Sequence, residues 1–271
     1  WAEKLSQANN FHDTILFDLD KEYTSFLASV LKDFIKKNKI INIDFISSHG
    51  HTVYHQPKEN YTFQLGNRIE LRDLIRKPIV CDFRVQDVAL GGQGAPLVPI
   101  GDLLLFKDFS HCINLGGFCN ISIKNDSGII AYDICPVNVV LNYFSKEFGL
   151  SFDKDGNLAK SGSVNKQLLK DLNQIEYYVD EPPKSLGIEW VKENIFKIID
   201  KYKISNEDKL RTYVEHICCQ IAMNIDSDRP QILFTGGGVK NKFLMARLSK
   251  KMKLKFQLPE IKIIDFKEAL I

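Results

Sequence analysis

Several features that mark particular protein classes are missing from this 271-residue chain. Its six cysteines form no CxxC pair, so we expect reduced, buried thiols rather than a disulfide scaffold. No apolar run approaches the ~18 residues of a transmembrane helix, and no signal peptide is evident. The net charge is only +2, so charge does not indicate a nucleic-acid or membrane partner. These absences favour a cytoplasmic globular protein, long enough for two domains.

Predicted helices and strands alternate along the chain, which indicates a mixed α/β fold. Apolar spacing predicts a helix over 22–38, with Asp18 or Asp20 as its N-terminal cap. "TVYHQP" and "YTFQLGN" alternate like the strands of a hairpin. Near the end of the chain, "KIIDF" is expected to be a short strand and "KEALI" the first turn of a helix.

Two glycine turns are candidates for phosphate binding. In "ILFTGGGVKNKFLMARL" an apolar strand leads into three glycines and a helix that opens near Asn241, and helix N-termini attract anions. The pattern is neither GxGxxG nor a Walker loop, and a tight turn without ligand explains it equally well. "INLGGFCNIS" carries the second turn, for which a hairpin tip is the alternative. Together the two turns suggest phosphates held between two domains.

Asp133 ends the apolar strand "IIAYDICP". A carboxylate on such a rigid, partly desolvated mount has the raised pKa of a general base. The alternative is that Asp133 caps a helix predicted over 137–149.

Three histidines invite a metal-site interpretation, since His49, His51 and His55 lie close together with Asp82 or Asp87 available nearby. Their spacing matches no zinc pattern. We therefore favour hydrogen bonds to a polar substrate or to the backbone, and predict no metal site.

The motifs, taken in order, resemble one family, the anhydro-N-acetylmuramic acid kinases. The resemblance lies in "SSHGHTVYHQP", "CDFRVQDVALGGQGAPLVP", "INLGGFCNIS", "YDICPVN", "PPKSLGIEW", "ILFTGGGVKNKFLMARL" and "DFKEAL", and it extends from about residue 20 to the end. It implies the two-domain, ribonuclease H-like fold of actin and the sugar kinases, with the active site in the cleft between domains. The expected division is a sugar-side domain over 1–110 and a nucleotide-binding domain over 111–271.

The resemblance also implies a function. Members of this family hydrolyse the internal bond of 1,6-anhydro-N-acetylmuramic acid and phosphorylate the freed O6, using ATP and Mg²⁺. The product, N-acetylmuramic acid 6-phosphate, belongs to peptidoglycan recycling. A homodimer is expected, with no nucleic-acid or membrane partner. Two alternatives remain, a non-catalytic sugar or nucleotide sensor on the same fold and a His-dependent metallohydrolase.

Site residues follow from the same resemblance. Asp133 is expected to be the general base that activates water, and Glu268 the second carboxylate, which helps to hold that water. The residues implied for the nucleotide are Gly116, Gly117, Gly236, Gly237, Gly238 and Asn241. Those implied for the sugar are His49, Thr52, Asp82, Arg84, Asp87, Gln93 and Gly94. The "GGQG" turn, which by itself resembles a phosphate cradle, is thereby assigned to the sugar.

This sequence departs from the family pattern in two places. The family has Asp-x-Gly-Pro-Gly-Asn at the base, whereas here both glycines are replaced, by Cys135 and Val137. The loop must therefore adopt backbone angles that a β-branched residue accepts. The family's Gly-Thr-Ser-x-Asp-Gly phosphate loop is not found either, so the ends look truncated. We expect weak or no kinase activity from these residues alone.

Overall fold

The computed structural model describes residues 1–125, 128–225, 231–256 and 258–271. The chain divides into two compact units, Trp1–Leu97 and Val98–Ile271. Each unit contains both helices and strands, which confirms the predicted α/β class. The assignment of 1–110 to the sugar and of 111–271 to the nucleotide stays a prediction. Within the described ranges, no helix is both long and apolar enough for a membrane span.

The first unit is built around one long helix and a hairpin. Its helices are α1 (Ala2–Ser6), α2 (Asp13–Lys37), α3 (Glu70–Ile75) and α4 (Phe83–Ala89), and its strands are β1 (Ile46–Ser47), β2 (His51–Gln56), β3 (Tyr61–Leu65) and β4 (Ile79–Val80). β2 and β3 pair antiparallel, which confirms the predicted hairpin. β1 and β4 form a short parallel pair.

The predicted start of the long helix is wrong. α2 begins at Asp13, nine residues before the predicted start, because Leu16 and Leu19 extend the buried stripe of the helix by about two turns towards its N-terminus. Asp18 and Asp20 therefore lie inside the helix and do not cap it. Asp20 is buried and accepts a hydrogen bond of 2.7 Å from the Gly66 amide.

The second unit contains a four-stranded sheet in the order β7-β6-β5-β8. Its strands are β5 (His111–Leu115), β6 (Phe118–Asn125), β7 (Gly128–Pro136) and β8 (Ile232–Thr235), and its helices are α5 (Val98–Leu105), α6 (Asn138–Lys146), α7 (Asn157–Ser161), α8 (Lys166–Asn173), α9 (Ile188–Trp190), α10 (Lys197–Ile199), α11 (Asn206–Met223), α12 (Lys242–Met252) and α13 (Ile261–Leu270). A π-helical turn, Val191–Phe196, joins α9 to α10. β5 pairs parallel with β8, and the other pairings are antiparallel.

One sheet face forms the main hydrophobic core of this unit. Ile113, Leu115, Ile121 and Phe234 are almost fully buried there, together with side chains of α6, α11 and α12. Such burial stabilises each large side chain by roughly 1.5–3 kcal/mol. The opposite face is left for other side chains, and these form the candidate site.

The prediction of a strand at "KIIDF" is wrong, because Ile261–Leu270 is one continuous helix, α13. A short apolar run does not by itself distinguish strand from helix. Glu268 therefore lies in the last turn of α13 rather than in its first turn.

Candidate functional site

A row of polar side chains crosses the sheet of the second unit. Asn114 on β5 lies opposite Thr235 on β8 and Asn120 on β6, and Asn120 lies opposite Asp133 on β7. Residues paired in this way project from the same face. Since neighbouring strands are ~4.8 Å apart, Asp133 is roughly 10 Å from Asn114 across the row. The row places a carboxylate, two amides and a hydroxyl on one surface.

A β-bulge aims Asp133 at this surface. Cys119 lies opposite Cys135, but its neighbour Asn120 lies opposite Asp133, so Ile134 is the extra residue. Without the bulge Ile134 would stand opposite Asn120. The irregularity thus keeps Ile134 and Cys135 buried while the carboxylate joins the polar row.

The Asp133 carboxylate is held by the segment that contains "PPKSLG". Its Oδ2 accepts a hydrogen bond of 2.9 Å from the Leu186 amide, and the Tyr177 hydroxyl donates to its backbone carbonyl at 2.6 Å. Burial raises the pKa of Asp133, and the Leu186 hydrogen bond opposes that rise. The alternative role as a helix cap is wrong, since α6 has Val137 at its N-cap and no side-chain cap. Val137 has φ −124° and ψ −91°, a combination outside the main helical and extended regions, so the expectation of angles that suit a β-branched residue is not met.

Glu268 lies beside the other end of the row. The Asn114 side-chain amide donates to Glu268 Oε1 at 3.4 Å. Both residues line a cavity of about 260 Å³ together with Gly116, Gly237 and Lys267. The structure therefore brings the second predicted carboxylate to the same strand row as Asp133, through Asn114.

The first glycine turn connects β5 to β6 at Gly116-Gly117. The Gly117 carbonyl accepts hydrogen bonds from the Val137 and Val139 amides. The Asn138 side-chain amide donates to the carbonyls of Leu115 and Gly116, at 3.2 and 2.6 Å. The turn is thus fixed against the start of α6, which follows the Asp133 strand.

The three glycines of the second turn have different surroundings. A Cβ on Gly236, whose φ is +86°, would lie 2.4 Å from Asn114 Oδ1, and one on Gly238 would lie 2.8 Å from Leu115 Cβ. A Cβ on Gly237 would meet nothing within 4 Å. Gly236 and Gly238 therefore let the turn approach β5 closely, and Gly237 is the glycine that faces open space.

Asn241 ends this turn and caps α12, as its side chain accepts a hydrogen bond of 3.0 Å from the Leu244 amide. The predicted helix start is confirmed. Asn241 and Gly237 line a second cavity of about 430 Å³, which also includes Asn138, Phe152 and Asp155. Backbone amides, an amide side chain and an aromatic ring are groups that suit a nucleotide.

Gly236→Ala is expected to destabilise the protein, and Gly237→Ala is the matched control. Alanine at 236 needs a positive φ and collides with β5, at a cost of about 1–3 kcal/mol for the backbone alone. Alanine at 237 has room. Chemical denaturation should show a lower midpoint for Gly236→Ala only, and equal midpoints for the two variants would contradict this packing.

In the first unit, Arg84 joins two of the predicted sugar-site residues. Its Nε donates to His49 Nε2 at 2.9 Å and its Nη1 donates to the Gly94 carbonyl at 2.6 Å. Because the arginine only donates, His49 Nε2 accepts, and Nδ1 carries the proton given to the Gly50 carbonyl at 2.9 Å.

The "GGQG" turn is shaped by its own neighbours. Asp87 Oδ2 accepts from the Gly94 amide at 2.6 Å, and a Cβ on Gly92 would lie 2.2 Å from that same oxygen. Asp82 accepts from the Asn67 side chain at 2.9 Å. Arg84, Asp87 and Asp82 thus bind protein groups, while the Gln93 side chain is exposed.

Among the described residues of this unit, four buried side-chain oxygens have no hydrogen-bond partner, those of Thr24, Thr52, Gln64 and Asn67. Thr52 Oγ1 and Asn67 Oδ1 are buried without a hydrogen-bond partner among the described residues. Buried polar atoms are normally paired, with protein, water or ligand. The three nearby histidines do not act together, since His51 Nε2 contacts the Leu5 carbonyl and His55 Nδ1 contacts Thr62. In the described part of the chain, no three His, Cys, Asp or Glu side chains are grouped as metal ligands.

Sequence reasoning missed Asn114, Asn120 and Asn67. A signal was available for the first two, since asparagine is depleted in strands and these two flank the first glycine turn symmetrically in "INLGGFCN". Asn67 lies in a loop, where asparagine is common, and carried no such signal.

Comparisons with known proteins agree on one family. A family model described as anhydro-N-acetylmuramic acid kinase matches residues 4–264. The anhydro-N-acetylmuramic acid kinase of Pseudomonas syringae pv. syringae is 38% identical over 217 residues, which are 75% of this chain and 59% of the relative. That of Sulfurimonas denitrificans is 34% identical over 253 residues, 87% of this chain and 68% of the relative.

A solved structure is similar at a much lower level. The activator of the 2-hydroxyisocaproyl-CoA dehydratase from Clostridium difficile with bound ADPNP has a TM-score of 0.46 and 12% identity, covering 90% of this chain and 77% of its own. A similarity of that size supports no inference about the site.

The second unit is thus an α/β domain with two glycine turns, one carboxylate on a polar sheet face, and a second carboxylate on α13 in contact with that face. The chain belongs to the anhydro-N-acetylmuramic acid kinase family. It spans about 59% to 66% of the length of the first two curated relatives that it matches.

Proposed function

We propose that the protein opens 1,6-anhydro-N-acetylmuramic acid by hydrolysis and phosphorylates the freed O6 with ATP. The product would be N-acetylmuramic acid 6-phosphate, an intermediate of peptidoglycan recycling. The observation that carries this proposal is the placement of Asp133, which a β-bulge directs onto the polar sheet face in a chain of this family. A reaction that consumes ATP and recycles a sugar is proposed to take place in the cytoplasm.

Asp133 is the proposed general base. Water attacks a sugar carbon slowly, and a positioned carboxylate contributes roughly 10²–10⁴-fold by removing its proton. Burial raises the Asp133 pKa, which increases the basicity of the carboxylate. The Leu186 amide holds one carboxylate oxygen, so the other oxygen can accept the proton. Glu268 and Asn114, in contact with each other, would hold the water.

The second unit is the proposed nucleotide site. Gly237 lines both cavities and Gly116 lines the smaller one, with Gly117 next to it in the first turn, and Gly236 and Gly238 allow the second turn to approach β5. The amide-lined cavity of about 430 Å³ beside Asn241 fits an adenosine in its donors and acceptors. ATP would supply the phosphoryl group, and Mg²⁺ would neutralise its charge. The residues that would face the ion are Glu268 and Asp265 of the smaller cavity.

Residues of the first unit are proposed to recognise the sugar. They are His49, Thr52, Asp82, Arg84, Asp87, Gln93 and Gly94, with Asn67 added here. The unpaired Thr52 and Asn67 oxygens support this assignment, because a polyhydroxylated ligand supplies the donors that they lack. The contacts of Arg84 and Asp87 indicate that these two act by shaping the "GGQG" turn.

The test is a kinase assay on the full-length protein. ATP- and Mg²⁺-dependent consumption of 1,6-anhydro-N-acetylmuramic acid is expected, with the product phosphate located at O6 by NMR. Binding of sugar and nucleotide without turnover would favour the sensor instead, and stoichiometric bound zinc would favour the metallohydrolase. Sedimentation should give the mass of the proposed homodimer.

A further inference from the structure

A buried ion pair lies behind the candidate catalytic carboxylates. Lys267 Nζ on α13 donates to Asp102 Oδ1 on α5 at 2.7 Å, and the two side chains are 3% and 1% exposed. Removing two charges from water is costly, and packed apolar side chains are often as stable in the same place. A pair at this depth is therefore better suited to fixing a geometry than to stabilising the fold.

Asp102 also lies near the sheet. Burial chiefly, together with the nearby Asp102 carboxylate, raises the pKa of the Cys112 thiol on β5 to about 11. The thiol is therefore neutral at ordinary pH. Cys112 and Asn114 are two residues apart on β5 and project from the same face. Asp102 thus connects Lys267 to the strand that carries the polar row.

On the helix, Lys267 is followed directly by Glu268. Consecutive residues of an α-helix differ by about 100° around its axis. Fixing the direction of the Lys267 side chain therefore also fixes the direction in which the Glu268 side chain projects. Glu268 contacts Asn114 in that direction. α13 is therefore held at two points, by the Lys267–Asp102 ion pair with α5, whose carboxylate lies near Cys112 of β5, and by the contact of Glu268 with Asn114 of β5. Two such points set the rotation of the helix.

The other contacts of α13 constrain the rotation of the helix less tightly than the ion pair does. The Ile264 carbonyl accepts from the Gly236 amide at 3.1 Å, which fixes the height of the helix beside the glycine turn. Ile271 packs on Gly101, where a Cβ would lie 2.3 Å from it. An apolar contact at the helix end permits some rotation, whereas the ion pair has one donor–acceptor direction.

We propose that Asp102 and Lys267 are positioning residues that hold the Glu268 carboxylate at Asn114, where it orients the attacking water. This role rests on the proposed function, since it acts through Glu268. A purely structural pair would stabilise the protein without affecting that carboxylate.

The test is the double substitution Asp102→Leu with Lys267→Met in the full-length protein. Removing both charges leaves no unpaired ion, so a folded protein is expected. The value of kcat should fall by on the order of 10–100-fold, since small displacements at a reacting centre have such effects. The KM for ATP should remain within about threefold. If the double variant does not fold, Asp102→Asn replaces it, since the amide keeps the shape of the side chain and a hydrogen-bond acceptor. The same fall in kcat and the same nearly unchanged KM for ATP are then expected.

A second background separates positioning from structure. In the Glu268→Gln protein, adding the double substitution should change kcat less than about twofold, because residues that act as one unit are not additive. The matched control is the pair Arg247–Glu215 between α12 and α11, with Nη2–Oε2 at 2.9 Å. Arg247→Met with Glu215→Leu should leave kcat within about twofold of wild type, since the ion pairs of these two residues join only α11 and α12.

Three results would overturn the inference. They are wild-type kcat in the Asp102→Leu, Lys267→Met protein, an equal further loss in the Glu268→Gln background, and an equal loss in the Arg247–Glu215 control. If wild type itself shows no turnover, the proposed function fails. Crystal structures of wild type and of the double variant would then compare the position of the Glu268 carboxylate relative to Asn114. Glu268 displaced from Asn114 in the double variant would then support the inference, and an unmoved Glu268 would overturn it.

Discussion

Asp133→Asn is expected to lower kcat by roughly 10²–10⁴-fold, the contribution of a general base. The amide has nearly the same shape and can keep the Leu186 hydrogen bond through its oxygen, so the fold should be retained. The nucleotide residues lie on other turns, and the affinity for ATP measured by calorimetry should stay within about twofold. The substitution therefore removes the group that accepts the proton, and the fold and the affinity for ATP should be retained.

The pH profile provides a second readout of the same substitution. A base works when deprotonated, so wild-type kcat/KM should fall as the pH falls through the Asp133 pKa, which burial raises. The residual activity of Asp133→Asn should lack this acid limb. The exposed Asp200 of the same unit gives the control, Asp200→Asn, with wild-type kcat and profile expected. Near-normal turnover by Asp133→Asn would exclude it as the base.

Lys267→Met alone is expected to lower the free energy of unfolding by about 3–5 kcal/mol, the cost of breaking one side of a buried ion pair. The Asp102 carboxyl group would be left at 1% exposure without its lysine partner. Urea denaturation measures the loss.

A more exposed pair, Lys240 of the second glycine turn with Asp265 of α13, is the control for that measurement. Lys240 and Asp265 are 2.6 Å apart but 51% and 31% exposed, and an exposed pair contributes at most about 1 kcal/mol. Asp265→Asn should therefore hardly move the midpoint. The second substitution, Asp102→Leu, should restore most of the stability lost in Lys267→Met. A Lys267→Met protein as stable as wild type would mean that the pair is not buried as described.

Local patterns predicted the α/β class, the β2–β3 hairpin and the start of α12, because each depends on residues close in sequence. Local patterns gave the wrong start for α2 and the wrong structure for the first residues of α13, because the pattern was ambiguous in both places. "TILFDLD" continues the helical spacing of α2, although its aspartates resemble caps. "KIIDF" is short and apolar, and its helical state depends on packing against β8 and the glycine turn.

The sequence by itself determined which residues could do chemistry: the carboxylates of Asp133 and Glu268, the two glycine turns, and the motif order that led to the family. Only the tertiary structure decided which of them face one surface. Strand register and the bulge at Ile134 place Asp133 opposite Asn120, and the contact of Asn114 with Glu268 joins residues 154 positions apart. Neither is encoded locally, because register and helix rotation are fixed by partners distant in sequence.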